Sequence, residues 1–398
     1  MISPIQRAET PEDIRPLVEL CKAGRLFEVQ AWIAAGKPVN PPLPSSKRSH
    51  PKSPLDIAID RGFHSLVEVL LQGGAVFETE GYKCPINTVL RMRRSDLAKL
   101  LVEHGGNPRS VDMTDVFDTW DAEIVEYFIE KGADVETGRP LARALSNRIR
   151  PALRIFNRYK GRFPSFQEQA NIALRHHCKE GNMKWISLML WAGADPYAPG
   201  TDDYSEKAGP WSEAGLSALG YAALYGHTEV FAIKKLVLDV KHPSLQRVMH
   251  YAYRTEVARV VQRLFAMGME PNDQESGGCS AIQNLLEHMS WTFSLWSTRE
   301  PKRGSIDTDE ARQKMKAIHI LAKHGAKWAP QDKREVDGAR RSLLKLTPDY
   351  TVEFVWIMSK YKACTPDSIQ QLLSPSSSIR SHVFDHSQRV DELLASWS

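Results

Sequence analysis

The sequence predicts an all-α chain, a solenoid of about nine to ten helix-turn-helix repeats carrying loop insertions. Three observations predict it. One phrase recurs along the chain: an apolar helical stretch, a small break, a second apolar stretch, then a glycine followed by a small or polar residue. The closing glycines, Gly36, Gly74, Gly105, Gly132, Gly161, Gly193, Gly268 and Gly325, stand 38, 31, 27, 29, 32, 75 and 57 residues apart. The 75-residue interval holds two repeats and an insertion, and the 57-residue interval is one repeat split by an insertion. Third, 398 residues with 42% hydrophobic and 25% charged supply a large buried core and exclude an intrinsically disordered chain.

Each part of the clearest copy, Ser53 to Val76, has a mechanical role. Ser53 caps a first helix and Pro54 fits its first turn, where a backbone donor has no partner. Asp60 to His64 breaks that helix, and Leu66 to Leu71 carries the second up to Gly74-Ala75. Gly62 and Gly74 are placed to take the left-handed conformation that ends a helix. Ser217 to Val230 repeats the front half. Back halves recur at Leu100 to Gly105, Tyr127 to Val135, Leu188 to Pro196 and Ile320 to Ala326.

These copies resemble the ankyrin repeat, although Gly220 replaces the usual histidine and only one copy has a proline in the usual place. The resemblance implies a helix-turn-helix with a projecting loop about every 33 residues. It also implies an intracellular protein-protein interaction scaffold or adaptor, binding through its projecting loops and the inner face of its first helices. The expected organisation is an N-terminal cap over 1–16, the repeat solenoid over 17–364 and a C-terminal cap and tail over 365–398. Leu343 to Cys364 reads as a weak tenth repeat, and Pro375-Ser376-Ser377-Ser378 as a break in the tail.

Insertions interrupt the pattern near 40–52, 197–215 and 289–309. The first is rich in proline and basic residues and reads as a stiff, lengthened connector. The second carries Tyr204 and Trp211, aromatics that either fold back as local anchors or face a partner. The third carries Trp291, Phe293 and Trp296, followed by Arg299, Lys302 and Arg303; its aromatics either meet a partner or extend the preceding helix into the stack.

From Gly138 to Gln167 there are eight basic residues and no acidic one, which alone suggests polyanion binding. Arg150, Arg154 and Arg158 share a helical face, but Glu123, Glu126 and Glu130 precede them by about one repeat. Stacking the two helices predicts a ladder of ion pairs, which weighs against nucleic acid as a partner. Arg143 and Arg148, with Arg139, remain as contacts for an acidic protein. An inhibitory or immunity-type protein that occludes a cognate enzyme or toxin is the alternative function, with polyanion binding ranked lower.

No catalytic, cofactor-binding or metal motif is present, and an enzyme is not expected. His176-His177-Cys178 looks like a ligand cluster, but adjacent residues do not share a helical face, and Cys178 aligns with Cys21 at a buried position. His382 and His386 lack a placed third ligand. Five widely spaced cysteines fit reduced thiols, a net charge of +4 implies no chain-wide polyanion surface, and no apolar run approaches a membrane span. The expected location is the cytoplasm.

Overall fold

The computed structural model describes residues 6–43, 52–77, 84–204, 215–234, 257–271, 280–289 and 307–374, with isolated positions between 236 and 248 and at 304, 379, 388 and 392. The described residues hold helices and two isolated β-bridges, with no β-strand among them. The chain divides into two units, Met1–Ala170 and Asn171–Ser398.

In the first unit, Pro11–Ala23 (α1) pairs with Leu26–Ala34 (α2), and Pro54–Arg61 (α3) with His64–Gln72 (α4). Three more pairs follow: Pro85–Arg91 (α5) with Ser95–Glu103 (α6), Met113–Phe117 (α7) with Ala122–Glu130 (α8), and Pro140–Ser146 (α9) with Arg150–Tyr159 (α10). First helices stack in the order α1, α3, α5, α7, α9, while α2 packs on α4, α4 on α6 and α8 on α10. The stacking buries the apolar stripe of each helix, with Leu17, Leu70, Phe117, Phe128 and Phe156 all inaccessible or nearly so. Each such side chain contributes about 1.5–3 kcal/mol of transfer free energy.

The helix starts follow from local chemistry. At α3 the Ser53 hydroxyl accepts from the Asp56 amide at 3.0 Å, and the Asp56 carboxylate accepts from the Ser53 amide at 2.9 Å, a reciprocal cap. At α1 the Asp13 carboxylate accepts from the Thr10 amide at 2.9 Å with Pro11 in the first turn. That start lies six residues before Leu17, so the segment expected as a separate 1–16 cap contains the first half of α1.

The helix Ser165–Glu180 (α11) spans the division between the units. The second unit continues with Met183–Ala192 (α12), Ala218–Leu224 (α13) beside a short 3-10 helix at Thr228–Ala232, and Val257–Ala266 (α14). Ala281–Met289 (α15) pairs with Asp309–Lys323 (α16), Lys333–Lys345 (α17) with Pro348–Lys360 (α18), and Pro366–Leu372 (α19) packs on α17. The last pair begins at Lys333, ten residues earlier than Leu343. Past residue 364 the Arg340 guanidinium donates to the carbonyls of Gln371 and Leu372 at 2.6 and 3.2 Å, tying α19 to the stack.

Left-handed residues mark both ends of the pairs. The closing glycines all have positive φ except Gly161. The turns at Gly24, Gly62, Gly181 and Gly226 are also left-handed, whereas α17 and α18 are joined through Leu346 and Thr347 with negative φ. Gly62 illustrates why: φ is +68°, and an added Cβ would lie 2.7 Å from the Arg94 guanidinium, which bonds the Gly62 carbonyl. At the equivalent turns of the third, fourth and fifth pairs the left-handed residue is Arg93, Trp120 or Arg148, with φ of 57°, 63° and 66°.

Candidate interaction surface

Each insertion is rooted by a buried polar side chain. Asn40, 2% exposed, opens the first: its amide donates to the carbonyls of Gln6 and Gly74 at 3.0 and 2.9 Å and its oxygen accepts from the Val76 amide at 2.8 Å. The second is rooted by Arg175 in the middle of α11. This guanidinium is fully buried, and donates to the carbonyl of Thr201 at 2.6 Å and of Ala198 at 3.0 Å. Gly200 lets it approach, since an added Cβ would stand 2.7 Å from a guanidinium nitrogen. The two ends of the insertion then meet: the Gly200 amide donates to the Leu216 carbonyl at 3.0 Å, and the Gly215 amide to the Gly200 carbonyl at 3.4 Å. Lys179, one turn after Arg175, adds an ion pair to Asp202 at 2.8 Å.

The third insertion has the same device in a different residue. Lys314 of α16 is 1% exposed, and its ammonium donates to the His288 carbonyl, at the end of α15, and to Glu310, at the start of α16, both at 2.7 Å. One buried cation therefore joins the helix that enters the insertion to the helix that leaves it. Burial holds the Lys314 pKa below the usual lysine value, opposed by its contact with Glu310. Tyr350 and Arg312 fix the exit by bonding Asp307 at 2.8 Å each. A buried charge is tolerated only where such partners replace its hydration.

Of the residues singled out by sequence, Tyr204 is half-buried with its ring 6.4 Å from that of His176, a local contact at the root of the second insertion. Trp211, Trp291, Phe293 and Trp296 lie outside the described residues. Arg143 is half-buried and faces Asp118 at 3.5 Å, and Arg148 is exposed in its left-handed turn. Arg143 and Arg148 belong to the first unit and Tyr204 to the second.

The ladder between α8 and α10 forms with a shifted register. Arg154 pairs with Glu126 at 3.2 Å as the repeat offset predicts, but Arg158 also turns to Glu126, and Arg162 pairs with Glu130 at 3.0 Å. Arg158 reaches one helical turn further back than expected, because a long guanidinium side chain extends toward the helix N-terminus, and Arg162 takes its place at Glu130. The Tyr159 hydroxyl also donates to Glu130 at 2.8 Å, and these contacts hold the Glu130 carboxyl below its ordinary pKa.

Cys178 is buried, as is Cys21, and burial pushes the Cys21 thiol up to about 12 and raises Cys178 as well. In place of a His-His-Cys cluster, His176, His177 and Glu180 present ligand atoms within 4.8 Å of one another. Two donors on one zinc at about 2.0–2.1 Å stand roughly 3.4 Å apart, so this trio would have to contract to hold one. Its contacts include the His176 Nε2 beside the Glu180 carboxylate at 3.4 Å and a stack of His177 on Trp185. His227 lies over Gly181 and contacts the Lys179 carbonyl at 3.0 Å, so it is a turn residue. His64 differs: Phe63 takes the equivalent place, over Gly24.

Sequence reasoning did not single out Phe27, Phe63, Met92, Trp120 or Trp191, all exposed large apolar residues. Four of the five lie at or beside the turns inside the first four helix pairs. For Trp120 the available signal was its place at the turn register where other repeats have glycine.

No protein family matches the sequence, and no curated protein matches it. Among solved structures the chain is similar to the human ASB11 ankyrin repeat domain, at 19% identity over 68% of this chain and 90% of that one, with a TM-score of 0.23. It is also similar to the ankyrin repeat domain of Bcl-3, at 15% identity over 67% of this chain and 92% of that one, with a TM-score of 0.28. At those TM-scores the superpositions carry no weight; the fold rests on the helix pairs themselves.

Proposed function

We infer that the chain is a protein-protein interaction module of the scaffold or adaptor kind, which presents its insertions to another protein. The supporting observation is that buried polar side chains, Asn40, Arg175 and Lys314, root all three insertions. A slack connector needs no such anchor, and a buried cation weakens the core unless every hydrogen bond is made. Anchoring the root lowers the entropy lost when a partner orders the rest of a loop. Trp211, Trp291, Phe293 and Trp296 are the partner-facing aromatics in this reading, with Tyr204 packed at the root. No helix among the described residues is long and apolar enough to cross a membrane.

The test is affinity capture from source-cell lysate, run in parallel with the intact chain and with a Trp211/Trp291/Trp296 triple-alanine variant. A protein retained by the first and lost with the second supports the reading. Retention that ignores the tryptophans removes the insertions as the binding surface, and no retained protein removes the reading itself.

A further inference from the structure

We propose that Pro41-Pro42-Leu43-Pro44, at the mouth of the first insertion, is a polyproline II ligand for the aromatic-lined groove of a proline-recognition domain. The proposal rests on the reading of the chain as a protein-protein interaction module and names the partner class of its first insertion. From Asn40 to Pro44 every residue is either a proline or stands directly before one. Proline fixes φ near about −65°, and a residue that precedes proline is pushed out of the helical region into extended conformations. The three prolines also lack the amide that a helix or a strand ladder requires. A polyproline II helix needs no such donor, because it makes no internal hydrogen bond. With about three residues per turn it places Pro41 and Pro44 on one edge, the PxxP spacing that SH3-type and WW-type grooves accept.

The stack holds the near end of this segment and presents the rest. Asn40, buried and bonded on both sides as described above, also accepts from the Ala8 amide through its carbonyl at 2.9 Å. The Pro41 carbonyl accepts from the Arg7 guanidinium at 3.2 Å. Beyond these contacts exposure rises along the run: Pro41 and Pro42 are half-buried, and Leu43 is 73% exposed. Pro44 to Pro51 lie outside the described residues. A leucine set between prolines carries an apolar side chain on a backbone with little freedom left to lose, which lowers the entropic cost of docking it.

The flanking sequence narrows the groove further. Between Asn40 and Leu55 the chain holds Lys47, Arg48 and Lys52 and no acidic residue. Lys52 is committed to Asp60 at 2.5 Å, so the cations assigned to the partner are Lys47 and Arg48, which follow Pro44 closely in sequence. The groove that fits has aromatic rings to receive the prolines and Leu43, and carboxylates at the end that meets Lys47 and Arg48.

The experiment probes an array of isolated SH3, WW and EVH1 domains with the full chain and with three variants: Pro42→Ala/Pro44→Ala, Leu43→Ala and Lys47→Glu/Arg48→Glu. A synthetic peptide of residues 38–50, with and without the same substitutions, keeps the comparison independent of folding. The expected result is that one domain class binds the full chain at least as tightly as the peptide. Binding should be about tenfold weaker for the proline variant and for Leu43→Ala, as for loss of a well-packed anchor, and weakened as well by the charge reversal. No binding by any domain, binding that survives the proline and leucine substitutions, loss confined to the charge reversal, or capture of the peptide but not of the full chain would each overturn the proposal. Failure here leaves the second and third insertions as the binding surface, since their test reads Trp211, Trp291 and Trp296.

Discussion

Trp120 and Gly62 occupy the same turn register with opposite consequences for stability. A non-glycine residue in the left-handed region costs roughly 1–2 kcal/mol, so Trp120→Gly is expected to raise or preserve the unfolding free energy. Gly62→Ala is expected to lower it by about 1 kcal/mol or more, since strain at φ +68° is joined by the approach of Arg94. Urea denaturation of both variants decides this, and a clear loss in Trp120→Gly would show that the ring is part of the packing. Arg175→Met leaves the Ala198 and Thr201 carbonyls without their donor, an expected loss of about 2–4 kcal/mol. The cysteines give a pH dependence. Burial raises Cys21 from an ordinary 9.0 to about 12, so its contribution to stability is fully present below pH 9 and is lost as pH rises from there through about 12. Stability should therefore fall less steeply with pH above 9 in Cys21→Ala than in the wild type, measured by denaturant titration across that window. Equal slopes would remove the assignment.

At the scale of elements, the helix starts and ends were legible wherever they depend on residues with a fixed backbone preference. Ser53, Pro54, Gly62, Gly74 and Ser217 all act as their chemistry dictates: Ser217, for example, accepts from the Gly220 amide at 3.1 Å. Ser53→Ala should cost about 1 kcal/mol, a loss visible in the melting temperature. The left-handed turns at Arg93, Trp120 and Arg148 were legible only through repeat register, because neither arginine nor tryptophan itself signals a left-handed backbone. It also missed the one-turn shift of the ladder, since repeat offset fixes which helices meet but not how far a flexible guanidinium reaches. Arg175 and Lys314 read as ordinary surface cations until burial reveals them as anchors. Each ladder pair is exposed on its arginine side, so Arg158→Ala should change stability by less than about 1 kcal/mol, and less still in high salt.

On the scale of the whole molecule, stability in a repeat stack accumulates from each unit and its contacts with neighbours. Phe128 is completely buried in α8, in the interior of the first unit's stack, and Phe128→Ala should cost about 3–5 kcal/mol. Binding draws on a different set of residues, those that the stack holds outward. The measurement that bears most directly on the central claim is hydrogen exchange of the full chain with and without the captured partner, read segment by segment. The account predicts that bound partner slows exchange over 197–216 and 289–309, where Arg175 and Lys314 root the insertions. Exchange unchanged in both segments, with protection elsewhere on the chain, would contradict it.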